Sequence, residues 1–127
     1  MRPALLFALL TGGSALSLPA LAALPIDRDT LQGWLQRDTS PLLLDLRSRS
    51  EYDSGHLPGA RPLSGPLPVT DALKGMQQRP VVLYHSRDQA LDGMEESLER
   101  AGFEKVYHLH GGWQSWLAAD LPVEHFR

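Results

Sequence analysis

His85 follows directly on an apolar run, Val81 to Tyr84, and opens a polar stretch, Ser86-Arg87-Asp88-Gln89-Ala90, ahead of a helix-like segment. In an α/β protein the loop between the carboxyl end of a strand and the next helix is where ligands are held. A neutral imidazole in that place can serve as nucleophile, general base or phosphoryl carrier, because it is reactive near physiological pH. The chain has no cysteine, which removes thiolate catalysis, disulfides and thiolate metal sites together. Two further imidazoles, His108 and His110, lie two apart on a strand-like run and so point to one sheet face. With His85, and with His56 or an acid, they could converge on a metal. Their spacing is not a metal-binding pattern, and polar residues at a strand end are the plainer reading. No metal and no cofactor is therefore expected.

The elements that must position these groups are readable from periodicity. Leu24 to Ile26 can form a short first strand. Leu31, Trp34 and Leu35 then recur at i, i+3, i+4, a helical spacing, with Asp29 as the expected cap. Pro41 to Leu46 is a continuous apolar run, as in a strand buried on both faces. Ser48 precedes Glu51 by three, a capping-box pattern, so a short helix follows and ends at Gly55. Gly59 to Leu63 reads as a short strand that Pro62 confines to a sheet edge. A weak helix is expected over Val69 to Gln77. Leu91, Met94, Leu98 and Ala101 form a helical stripe closed by Gly102. Val106 to Leu109 is another strand. Gly111-Gly112 lets the chain turn tightly into a last helix with Trp113, Trp116 and Leu117 on one face, stopped by Pro122. Strands alternating with helices predict an α/β domain, with a mostly parallel sheet of about five strands and helices on both faces.

The first segment does not belong to that pattern. It carries Arg2, an apolar core from Ala4 to Leu10, and Ala20-Leu21-Ala22, the small-x-small ending of a secretory signal peptide. The core is short, and Gly12, Gly13 and Pro19 interrupt it, so it suits cleavage better than a membrane span. Export, to a bacterial periplasm, is expected, with residues 1–22 removed and residues 23–127 forming one domain with no membrane span. No Cys follows the cleavage position, so lipid attachment of the bacterial lipoprotein kind is excluded. The formal net charge is −3, and loss of Arg2 would make it −4. That mild acidity argues against a nucleic-acid or anionic-lipid partner, which would favour a basic stripe.

The residues also resemble a known family. "LLLDLRSRSEYDSGHLPGA" is similar to the opening signature of rhodanese domains, and "AGFEKVYHLHGGWQSWLAADLPVE" is similar to their closing signature. The two blocks stand in the family's order and span nearly all of residues 23–127. The resemblance implies the rhodanese-like α/β fold and, at the end of the central strand, a catalytic Cys that carries sulfur as a persulfide. It also implies a loop whose backbone N–H groups cradle an anion at a helix start. Laid onto this chain, the Cys position is His85. Ser86 stands at the family's first loop Arg and Ala90 at its loop-closing Arg. Asp88 adds negative charge, and Arg87 keeps one cation in the loop. Asp45 and Arg47 follow a buried strand and could pair near the site, in a supporting role, with structural charges that fix the loops as the plainer reading. His56 reads as a hydrogen-bonding structural histidine, and Trp113 and Trp116 as core.

Sulfur transfer through the protein needs a sulfur nucleophile, and imidazole forms no equivalent intermediate. The expected function is thus an exported rhodanese-like domain that is catalytically inactive as a sulfurtransferase. It would act as a binding, accessory or regulatory module of the cell envelope, with a link to sulfur metabolism. His85 through Ala90 would form the ligand surface, and the partner would be an envelope protein or a small anion. Two alternatives stand beside it: an enzyme using His85 for phosphoryl or other anion transfer, and a metal-binding protein.

Overall fold

The computed structural model describes residues 23–37, 41–63, 73–91 and 93–125. The expected signal peptide, residues 1–22, lies outside them. Among the described residues nine elements follow one another: β1 (Leu24–Ile26), α1 (Arg28–Leu35), β2 (Leu42–Asp45), α2 (Arg49–Ser54), β3 (Arg61–Pro62), β4 (Val81–Tyr84), α3 (Met94–Arg100), β5 (Val106–Leu109) and α4 (Gly112–Ala118). The five strands form one sheet in the order β1-β5-β4-β2-β3. All neighbouring strands are parallel, with Leu44 opposite Leu83 and Leu83 opposite His108. The chain is thus an α/β protein with a five-stranded parallel sheet.

The apolar runs of β2 and β4 are buried at every position, because both strands are central and both sheet faces are covered. Alternation divides their side chains. Leu42, Leu44, Val81 and Leu83 pack on one face with Met94, Leu98 and Phe103. Leu43, Val82 and Tyr84 pack on the other with Leu31, Tyr52, Trp113 and Trp116. So α3 covers one face, while α1, α2 and α4 cover the other. Pro62 sits on the edge strand β3, where its missing N–H removes no ladder bond from a central strand.

Local signals set the helix ends. Ser48 and Glu51 form the full capping box of α2, satisfying two of the orphan donors at its start. The cap of α1 is Asp27, which accepts the Thr30 N–H at 2.8 Å. Asp29, the expected cap, lies inside the first turn. A carboxylate two residues earlier starts the helix sooner, and Asp29 then faces the positive end of the dipole. Of the helix expected over 69–77, residues 69–72 lie outside the described residues, and Leu73 to Gln77 form turns with Gly75 at φ +82°. The last helix buries Trp113 and Trp116 but leaves Leu117 43 % exposed, since it lies about 100° round the helix from Trp116. The Trp116 indole N–H donates to the Pro122 carbonyl at 2.7 Å. That bond turns the tail back, where His56 and Glu124 exchange backbone hydrogen bonds at 2.9 Å. Among the described residues no helix is long and apolar enough to cross a membrane.

Candidate functional site

His85 is the first residue past the carboxyl end of β4, between β2 and β5. The end of a central parallel strand opens a crevice that flanking strands and helices wall in. The loop that leaves β4 is pinned from behind by the start of α4. The His85 carbonyl accepts the Trp113 N–H and the Ser86 carbonyl accepts the Gln114 N–H, both at 2.9 Å. The loop backbone therefore satisfies orphan donors of the last helix. This approach is possible because residue 112 is glycine. A Cβ there would lie 2.5 Å from the His85 oxygen and 2.7 Å from the Arg87 oxygen, on a backbone at φ +60°. The Gly111-Gly112 turn is thus required by the loop as well as by the helix entry.

Two loop side chains close further backbone donors. Asp88 Oδ1 accepts the Gly111 N–H at 2.7 Å, tying the loop to the β5–α4 turn. Gln89 Oε1 accepts the Arg87 N–H at 2.6 Å. The loop does not run straight into a helix. Three residues separate Ala90 from Met94, and Gly93 at φ +74° makes the turn into α3. Leu91, the expected first member of the helical stripe, is partly buried against the core from outside the helix. The cradle at a helix start implied by the family resemblance therefore differs here. The Arg87 N–H meets a side chain of the loop itself, and α3 begins farther along.

On one side of the loop lies a cavity of about 630 Å³, lined by His85, Arg87, Asp88, Gln89, Ala90, His108 of β5, His110 in the turn after it, and Glu95 of α3. His108 of β5, His110 just past it and His85 all line this cavity. Among the described residues no group of three or more His, Asp or Glu side chains is arranged to hold a metal ion. His110 Nδ1 lies 3.7 Å from Asp88 Oδ2. His56 is elsewhere, stacked 3.8 Å from the Tyr52 ring, with Nδ1 2.7 Å from the Tyr52 carbonyl and Nε2 3.9 Å from Glu124. Its ring nitrogen at the carbonyl must carry the proton, which makes it a clamp between α2 and the tail.

Glu95 was not singled out by sequence reasoning. One of its carboxylate oxygens is buried without a hydrogen-bond partner. With Asp88 it sets two carboxylates against the single guanidinium of Arg87 around the cavity. Nothing in the sequence distinguishes Glu95 from its helix neighbours Glu96 and Glu99; only the placement of α3 does.

Ser86 faces a second, smaller cleft of about 310 Å³ shared with Arg47, Trp113 and Gln114. Here the Asp45–Arg47 pair is found. Both residues are buried, and Arg47 Nη2 lies 2.7 Å from Asp45 Oδ2. The same nitrogen donates to the Gly55 carbonyl at 2.6 Å, and the guanidinium packs 4.4 Å from the Trp113 ring. Tyr84 completes the cluster, its hydroxyl donating to Asp45 Oδ2 at 2.6 Å and accepting the Leu57 N–H at 3.2 Å. Burial pushes the Tyr84 hydroxyl well above its ordinary pKa, and the Asp45 charge adds to the shift, so it stays a donor. Burial pulls Arg47 down most strongly, but its bond to Asp45 and the negative charge of Asp45 and its neighbours together outweigh that, and the net shift is upward. The cluster joins β2, β4, α2 and α4 beneath the loop.

Comparison with known proteins agrees with this architecture. The model of the rhodanese-like domain family matches residues 27–119. A thiosulfate sulfurtransferase GlpE of Vibrio cholerae is 27% identical over 101 residues, which is 80% of this chain and 94% of that protein. A GlpE of Pseudoalteromonas translucida is 28% identical over 78 residues, 61% of this chain and 74% of its own. Among solved structures, the Alr3790 protein of Anabaena superposes with a TM-score of 0.68 at 30% identity, covering 80% of each chain.

Proposed function

Because the chain belongs to the rhodanese-like domain family, we propose that it keeps the family's sheet and loop as a binding module and does not transfer sulfur. The observation that carries this reading is His85 at the end of β4, in a chain without cysteine. The similar GlpE proteins are named thiosulfate sulfurtransferases. A reaction that passes sulfur through a protein-bound persulfide needs a thiolate, and no other residue here supplies one. The loop supports the same reading, because its Arg87 donor is taken by Gln89 and two carboxylates border its cavity. His85 to Ala90 would form the ligand surface, with Asp45 and Arg47 holding the floor beneath it. The ligand would be a small molecule or a segment of an envelope protein seated in the cavity.

The protein is expected to show no thiosulfate:cyanide sulfurtransferase activity. Thiocyanate formation would stay at the uncatalysed background for the wild-type protein and for His85→Ala alike, under conditions where a cysteine-bearing relative turns over. Turnover that disappears in His85→Ala would overturn the reading.

Export is part of the same proposal, and the small-x-small ending at Ala20-Leu21-Ala22 supports it. Intact mass of the protein recovered from the envelope fraction of a bacterial host is expected to match a chain that starts at Ala23. A chain that keeps Met1 in the cytoplasm would contradict export.

A further inference from the structure

The peptide planes at the head of the loop have a fixed direction. The His85 and Ser86 carbonyls point to the start of α4, where they accept the Trp113 and Gln114 N–H groups. No peptide bond of the described chain is cis. In a trans peptide the N–H is antiparallel to the C=O, so the N–H of Arg87, in the same plane as the Ser86 carbonyl, points away from α4. Arg87 and Gln89 both line the larger cavity, and the acceptor met by that N–H is the Gln89 carboxamide oxygen, at 2.6 Å. An amide oxygen is a neutral acceptor of about the size and geometry of one oxygen of a sulfate, phosphate or thiosulfate. It is tethered two residues away, so it competes at high effective concentration.

We propose that Gln89 sets the specificity of this cavity: its carboxamide oxygen occupies the place an oxyanion's oxygen would take at the Arg87 N–H, and so closes the loop to small oxyanions. The proposal rests on the loop being the ligand surface. Two surrounding features act in the same direction. Asp88 is held by the Gly111 N–H on the rim of the cavity, and it places negative charge there. Glu95 brings a buried carboxylate oxygen that lacks a donor. An anion entering would meet both carboxylates and would first have to displace Gln89. A ligand that brings N–H or O–H donors and no negative charge would instead leave the Gln89 contact in place and satisfy Glu95.

The test is a titration of the 15N-labelled protein with sodium sulfate at constant ionic strength, following the Arg87 amide. Gln89→Ala is expected to bind sulfate about tenfold or more tightly than the wild-type protein, since an anion gains a charge-assisted bond that the wild type has already filled. Gln89→Glu keeps the acceptor and adds a charge, and is expected to bind no better than wild type. The Gln89 side chain lies on an exposed residue, so fold loss is not expected, and the amide spectrum reports it directly. Equal sulfate affinity in wild type and Gln89→Ala, whether weak or strong, overturns the proposal. The thiocyanate assay does not depend on this outcome, so a sulfurtransferase with an open loop and a binding module without a Gln89 plug give different pairs of results.

Discussion

Arg47→Met is expected to lower folding stability by about 3–5 kcal/mol, the cost of leaving a buried partner charge uncompensated. The change keeps most of the side-chain volume, so the loss comes from the polar network. Asp45 would remain fully buried with only the Tyr84 hydroxyl and the Arg47 backbone N–H as donors. The Gly55 carbonyl would lose its guanidinium donor, and Trp113 its stacked cation. Domains of this size are typically stable by about 5–15 kcal/mol, so one substitution removes a large share. Urea denaturation of the wild type, Arg47→Met, Asp45→Asn and the double variant measures it. In the double variant the charge and its partner leave together, and the loss is expected to be smaller than the sum of the two single losses by about 1–3 kcal/mol. A single variant within about 1 kcal/mol of wild type would show that the pair behaves like an exposed ion pair, which its burial opposes.

This cluster shows how much of the site is legible in sequence. Asp45 and Arg47 stand out because charges directly after a run of leucines must be paired or solvated, and the structure pairs them. Their third partner, Tyr84, ends a strand 39 positions away, and nothing local marks it. The same division runs through the fold. Leu42 to Asp45 and Val81 to Tyr84 announce themselves as central strands because both faces are apolar. Ser48 and Glu51 announce a helix start because the capping box is a local interaction. Asp27 and Asp29 are equally good caps by composition, and only the position of the first turn chooses between them. Leu117 has the spacing of a buried residue, but the burial of Trp113 and Trp116 against the sheet uses up the inward arc of a seven-residue helix.

The loop divides in the same way. His85 and the absence of cysteine are plain in the sequence, and so is the loss of positive charge at Ser86 and Ala90. The contacts that close the loop are not. Gln89 turns back on the Arg87 N–H, and Asp88 crosses to Gly111 on another element. The Asp88 contact depends on where β5 and α4 place the Gly111-Gly112 turn. Polar residues in a short loop carry no signal of whether they face solvent, a ligand or their own backbone.

If the loop, and not its first residue alone, has moved away from sulfur chemistry, a thiol restored at position 85 will not by itself restore the reaction. The most direct measurement compares thiosulfate:cyanide kcat/KM for His85→Cys with that of a variant carrying His85→Cys, Asp88→Gly, Gln89→Ala and Ala90→Arg. The single variant restores a thiol but leaves Gln89 on the Arg87 N–H, Asp88 beside it and no guanidinium at position 90. One charge-assisted hydrogen bond to the anion contributes about 1.5–3 kcal/mol, which corresponds to about 10- to 150-fold in rate. The four-fold variant is therefore expected to exceed His85→Cys by at least about tenfold, with the single variant close to background. If His85→Cys alone turns over as fast as the four-fold variant, the loop was still fit for a sulfur anion, and the account is contradicted.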